Sequence, residues 1–152
     1  MKKSYWKRSS VRSGFEAVVR KDLDERKVLY GYESIKLHYT KECCNNCGHI
    51  IKRGTYTPDF ILQLISGLRI IVESKGRFTS TDRTKMQRVK RDNATEDIRL
   101  LFQRDQPIRK GSSTKYSEWS ERNGFPWGIG VVPDDWIKET KKATLDRLEV
   151  FQ

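Results

Sequence analysis

The residues best equipped for chemistry are Asp59, which follows Pro58, and, after thirteen intervening residues, the triplet Glu73-Ser74-Lys75. Side chains alternate along a strand, so Glu73 and Lys75 share one face. Two carboxylates close together suit a hard cation such as Mg²⁺, which keeps several of its waters. Without a cation the two repel, and one holds a proton. A lysine beside them can hold a water or balance the charge of a phosphate. Metal-assisted phosphodiester hydrolysis needs that equipment. The plain alternative is a surface ion pair on a strand. Against it, Phe60-Ile61-Leu62 directly follows Asp59 and Ile70-Ile71-Val72 runs directly into Glu73, so the charges sit at the ends of buried strands. Glu16 is a further carboxylate with two readings. Ser13-Gly14-Phe15-Glu16 is a Ser-x-x-Glu capping box, and the residues by themselves favour that role over a catalytic one.

The elements that must position these groups follow from the apolar pattern. Phe15, Val18, Val19 and Leu23 predict one face of a helix starting at Ser13. Tyr32 to Tyr39 alternates like a strand, and the polar stretch Thr40 to Gly54 reads as a loop. Tyr56 to Ile65 and Leu68 to Ser74 are β-rich and joined near Ser66-Gly67, a hairpin signal. A plain two-residue turn there would set Asp59 opposite Ser74 and send it to the face away from Glu73. An odd-length loop or a bulge is therefore expected. Thr81 to Asn93 predicts an exposed helix, Ile98 to Phe102 a buried strand, and Tyr116 to Arg122 a short helix ended by Asn123-Gly124. The remainder is irregular, with a last helical stretch near Thr144 to Val150. Trp119, Trp127 and Trp136 read as packing residues. Helix, strand, hairpin, helix, strand, helix indicates an α/β layered domain with a mixed sheet.

Lys and Arg number 31 against 20 Asp and Glu, a formal charge of +11. So basic a domain attracts polyanions, nucleic acid first among them. The charge recurs in patches, from Lys2 to Arg12, Arg83 to Arg91 and Arg104 to Lys115. Candidate phosphate contacts are Lys2, Lys3, Lys7, Arg8 and Arg12 on a basic arm over residues 1–12, Arg83, Lys85, Arg88 and Lys90, and Lys110. Tyr5 and Trp6 could stack on exposed bases. No apolar run approaches the roughly 18 residues that span a membrane, and the basic start lacks the apolar segment of a secretory signal. Three clustered cysteines make no disulfide framework, which points to a reducing cytoplasm. Cys44-Asn45-Asn46-Cys47-Gly48 resembles half of a zinc knuckle, with Cys43, His49 and His38 near in sequence. Structural zinc usually takes two such pairs, and free thiols in a loop are the competing reading.

Several ordered motifs resemble the endonuclease I family of T-odd bacteriophages, which resolves Holliday junctions. Arg12-Ser13-Gly14-Phe15-Glu16 is similar to that family's Arg-Ser-Gly-Leu-Glu. Tyr56-Thr57-Pro58-Asp59-Phe60 matches its Tyr-Thr-Pro-Asp-Phe, and Val72-Glu73-Ser74-Lys75-Gly76 is similar to its Val-Glu-Thr-Lys-Gly. Asp97-Ile98-Arg99, Lys110-Gly111-Ser112 and Trp136-Ile137-Lys138-Glu139 also match in order. The cysteine stretch Cys43 to His49 has no counterpart, and the Asp59–Glu73 connection is longer than in the family.

The resemblance implies a restriction-endonuclease-like PD-(D/E)xK nuclease fold over residues 13–152, in a homodimer that exchanges its N-terminal elements. It implies catalytic Glu16, Asp59, Glu73 and Lys75, with Glu16 acting in the partner's site. Mg²⁺ or Mn²⁺ would be held by Asp59, Glu73 and the Ser74 carbonyl, with Glu16 assisting. It implies hydrolysis of branched DNA to 5′-phosphates, in the host cytoplasm for a phage-encoded enzyme. A mismatch or sequence-specific nuclease on the same scaffold, and a non-catalytic basic nucleic-acid-binding module, are the competing functions.

Overall fold

The computed structural model describes residues 14–142. The basic arm with Lys2, Lys3, Lys7, Arg8 and Arg12, the Ser13 half of the expected capping box, and the helical stretch near Thr144 to Val150 lie outside the described residues. Helix α1 spans Gly14–Glu25, followed by strands β1 (Tyr30–Tyr32), β2 (Leu37–Cys43), β3 (Ile50–Tyr56), β4 (Phe60–Gln63) and β5 (Arg69–Lys75). Helix α2 (Ser80–Asp92), β6 (Asp97–Phe102), α3 (Tyr116–Arg122), β7 (Trp127–Ile129) and α4 (Asp134–Ile137) complete it. Five strands form one mixed sheet in the order β1-β4-β5-β6-β7. The β1–β4 and β4–β5 pairs are antiparallel, and β5–β6 and β6–β7 parallel. The expected α/β domain with helices flanking a mixed sheet is what forms.

Alternation along the central strands feeds two cores. Phe60, Leu62, Ile70 and Val72 point to one face, where Phe15, Val19 and Leu23 of α1 and Trp136 of α4 cover them. Ile61, Ile71, Ile98 and Leu100 point to the other, under Met86 and Val89 of α2 and Trp119 of α3. Strand β5 is therefore buried on both sides, as a strand between parallel and antiparallel neighbours should be. Trp127 is half-buried, its indole N–H donating to Glu121.

Four expectations are corrected. Val18 is 53% exposed, and Glu16 takes its place on the buried face of α1. The expected strand Tyr32–Tyr39 is broken, because Glu33 adopts φ 45° and ends β1, while β2 begins only at Leu37. Thr40 to Gly54 is not a loop. It is most of a two-stranded arm, β2–β3, with the cysteines at its tip. Its outer half is exposed on both faces, so it carries no alternation to read. Finally, the run Tyr56 to Ile65 is interrupted at Thr57-Pro58-Asp59. Pro58 has no N–H for a ladder, and the chain passes there from the arm to the main sheet.

The hairpin register is the one the chemistry requires. Phe60 faces Val72, Ile61 faces Ile71, Leu62 faces Ile70 and Gln63 faces Arg69. Continued by one residue, that register sets Asp59 opposite Glu73. The connection is a three-residue loop, Ile65-Ser66-Gly67: Leu64 N–H donates to Leu68 O, Gly67 N–H donates to Leu64 O, and Gly67 has φ +89°. This is a turn closed by a glycine in the left-handed region, the arrangement that makes an odd loop fit a twisted hairpin. A Cβ at Gly67 would meet no atom within 4 Å, so only backbone strain opposes a side chain there. Gly67→Ala is expected to lower stability by about 1 kcal/mol, and Gly67→Asn by less, as read from urea unfolding midpoints. An unchanged midpoint for Gly67→Ala would contradict the turn assignment.

Candidate active site

The sheet gathers the chemistry at one end of β4 and β5. Asp59 stands immediately before β4, and Glu73, Ser74 and Lys75 are the last three residues of β5. Parallel pairing with β6 holds that end in place, with Gln103 N–H donating to Lys75 O at 3.0 Å. Asp59, Glu73, Ser74 and Glu16 are all buried. The surface ion-pair reading therefore fails: these are charged groups taken out of water.

Each has a partner that fixes it. Asp59 Oδ2 accepts from the Ser74 backbone N–H and the Ser74 hydroxyl, each at 2.8 Å. Glu73 Oε2 accepts from the Tyr56 hydroxyl at 2.5 Å, and Glu73 Oε1 lies 3.2 Å from Lys75 Nζ. Lys75 Nζ is also 3.4 Å from Asp82 Oδ1. Asp82 closes the capping box of α2, where its carboxylate accepts from Thr79 N–H and the Thr79 hydroxyl bonds the Asp82 N–H. The start of α2 thus anchors the lysine. Glu16 enters from α1 on its own chain, its Oε2 accepting from the Tyr32 hydroxyl at 2.7 Å. This contact is made within one chain. The capping box expected at Ser13–Glu16 has its Ser13 half outside the described residues.

Burial sets the electrostatics. Desolvation, then the charge of Glu73 and more weakly that of Glu16, pushes the Asp59 carboxyl up to about 7 against the pull of the Ser74 hydrogen bonds. Burial also raises the Glu73 carboxyl, although Lys75 and the Tyr56 hydroxyl hold it down in part. Tyr56 is raised well above the ordinary tyrosine range by burial and by Glu73. For Lys75, burial opposes the charge, but Glu73 and Asp82 outweigh it and raise the ammonium. Lys75 therefore stays a cation, while the carboxylate pair holds a proton that a divalent cation would displace.

The donor set fits such an ion. Among the described residues no three His, Cys, Asp or Glu form a cluster ready to enclose a metal. Mg²⁺ does not require one, since it binds through one or two carboxylates and retains water. Asp59 and Glu73 would be that pair, with Ser74 bonded to Asp59 and Glu16 near enough to act on it electrostatically.

The expected phosphate contacts divide. Arg83 donates to the carbonyls of Phe78, at 2.6 Å, and Ile108, at 3.0 Å, tying two loops together. Lys90 donates to Gly124 O at 2.6 Å and lies over the Phe125 ring. Lys85 stands over the Tyr56 ring, 5.3 Å from its centroid, which places it beside the site. Arg88 is half-buried and Lys110 exposed. Sequence reasoning assigned no role to Tyr56, Tyr32 or Asp82. Only Asp82 had a readable signal, the Thr-x-x-Asp spacing of a helix start.

Asp59 keeps its proton in the fold up to about pH 7, whereas an unfolded aspartate ionises near pH 4. Between those values the native state binds the extra proton, so stability falls as pH rises through the window. Asp59→Asn removes that loss and keeps an acceptor for Ser74. In chelator, the variant is expected to exceed the parent at pH 8 by on the order of 2–4 kcal/mol, with the advantage gone by pH 4. Denaturant unfolding at both pH values measures it, and a gain independent of pH would refute the burial argument.

The chain is similar to known proteins along most of its length. A model of the family described as phage endonuclease I matches residues 1–151. The chain is 36% identical over 140 residues to endonuclease I of Escherichia phage T7, covering 91% of this chain and 86% of that one. It is 34% identical over 132 residues to endodeoxyribonuclease 1 of Enterobacteria phage T3, covering 86% of this chain and 79% of that one. The chain belongs to the phage endonuclease I family.

Proposed function

We propose that this protein is a structure-selective DNA endonuclease that resolves four-way junctions and other branched DNA by hydrolysing phosphodiesters to 5′-phosphates. The observation that carries the reading is the placement of Asp59 opposite Glu73, with Lys75 Nζ 3.2 Å from the Glu73 carboxylate. Asp59, Glu73 and the Ser74 carbonyl would hold Mg²⁺ or Mn²⁺, with Glu16 assisting. The bound ion would supply Lewis-acid polarisation and a more acidic water. The chain's own residues do the rest. Lys75 Nζ, kept protonated by Glu73 and Asp82, orients the attacking water and balances charge on the phosphate. Tyr56 fixes one oxygen of Glu73 so that the other faces the lysine. Burial excludes competing water. Lys85, Arg88 and Lys110, with the basic residues 1–12, would meet phosphates of the DNA arms.

Metal-dependent nicking of a synthetic four-way junction, compared with linear and mismatched duplex of the same sequence, tests the reading. Activity on the junction alone is expected. Equal cutting of all three would favour a less selective nuclease, and binding without cutting a non-catalytic module. Asp59→Ala and Glu73→Ala are each expected to abolish cleavage and leave junction affinity within a few-fold of the parent. Equal loss of binding and cutting would make these residues structural.

Part of the same reading is a homodimer that exchanges α1, so that Glu16 serves the partner's site. Exchange of an identical element reproduces the contacts made within one chain, so Glu16 would meet Tyr32 and Asp59 in either case. Mixing Glu16→Ala with Glu73→Ala subunits, each inactive, distinguishes the two arrangements. Exchange leaves one intact site per heterodimer, and single-strand nicking returns. Without exchange every site keeps one defect and no activity returns. A lost helix cap would cost only about 0.5–2 kcal/mol of stability, so a rate loss of orders of magnitude in folded Glu16→Ala separates catalysis from capping.

A further inference from the structure

The tip of the β2–β3 arm carries a second set of ligand-type side chains. Tyr56 ends β3 beside Glu73, and the tip lies six residues away along the strand, about 20 Å at the rise of extended chain. The connection there is a closed knuckle. Cys44 N–H donates to His49 O at 2.7 Å, Gly48 N–H donates to Cys44 O at 2.8 Å, and Gly48 takes φ +70°. Cys44 and Cys47 bracket this turn, Cys44 half-buried and Cys47 exposed.

The set is incomplete in one chain. Structural zinc takes four ligands in a tetrahedron, commonly two Cys-x-x-Cys pairs. The whole sequence has three cysteines and two histidines, all within the described residues. Cys43 is the strand residue paired with Ile50, next to an irregularity in the register. His38 pairs with Thr55, too far down the arm to reach the tip, which corrects its inclusion among the zinc candidates. Neither Cys43 nor His49 joins Cys44 and Cys47 in a cluster of three. Beside the knuckle, Ile50 and Ile51 are 36% and 59% exposed, an apolar edge that a second surface would cover.

We propose that two copies of this chain share one zinc ion at their arm tips, bound by Cys44 and Cys47 of each copy. The four sulfurs complete the tetrahedron, the thiol protons pass to solvent as the ion binds, and Ile50 and Ile51 of the two copies close around it. The site is separate from the Asp59–Glu73 centre and does not depend on the function proposed for it.

The test uses the full chain, purified under reducing conditions, loaded with zinc and desalted without chelator. Metal content is compared with that of a Cys44→Ser/Cys47→Ser double variant, so zinc held elsewhere cancels. The expected difference is half a zinc ion per chain. Cys43→Ser is expected to retain the parent content, and cobalt substitution to give thiolate-to-cobalt charge-transfer bands in the parent and not in the double variant. Circular dichroism checks that each variant is folded, which the exposed tip permits. A difference of one ion per chain would mean a site complete within one copy and would overturn the proposal. No difference, or loss of the ion in folded Cys43→Ser, would overturn it equally.

Discussion

Two carboxylates, Asp59 and Glu73, are held against each other out of water, and the local structure is organised around keeping them there. Left alone, such a pair would separate or draw in solvent. The β4–β5 register prevents separation, because both groups are attached to paired strands. The hydrophobic ends of those strands, Phe60 and Val72, are fully buried and keep solvent from the ladder beneath. Burial raises both carboxyls above their ordinary values, and the charge of Glu73 adds to the rise at Asp59.

Around that pair the supporting contacts come from elements far apart in sequence. Ser74 bonds Asp59 from the neighbouring strand, Tyr56 bonds Glu73 from the end of the arm, and Asp82 meets Lys75 from the start of α2. Tyr32 on the edge strand β1 bonds Glu16 on α1. The main sheet is thus a frame whose β1, β4 and β5 ends carry most of these groups, and the short strands β1 and β7 form its edges. The chain belongs to the phage endonuclease I family, and the physics of burial accounts for why these side chains are so tightly fixed.

Much of this was legible in the sequence because it rests on period-two alternation. Glu73 and Lys75 had to share a face, and the need for Asp59 to join them excluded a two-residue turn before any register was known. The helices α2 and α3 were legible from their apolar spacing and from Asn123-Gly124. What escaped was structure without a buried face or without a local signal. The outer β2–β3 arm is exposed on both sides, so its strands looked like a polar loop. On α1 the apolar Val18 was the natural choice for the core, yet the buried position belongs to Glu16, whose environment is created by Tyr32 and Asp59 rather than by α1 itself. Tyr56 is a site residue through a contact spanning 17 positions, which no short-range pattern encodes. The basic patches overstated the free charge, since Arg83 and Lys90 are bonded to backbone carbonyls.

The capping box of α2 also bears on how the lysine is held. Asp82 is at once the residue that closes the first turn of the helix and a counter-charge for Lys75. Helix ends fray, and a first turn secured by a capping box is worth only about 1 kcal/mol more than one without it. Each time that turn opens, Lys75 loses one of its two anchors and is left to Glu73 alone. The lysine is therefore held as firmly as the first turn of α2 allows, and a change in that turn reaches the carboxylate pair without touching either strand that carries it.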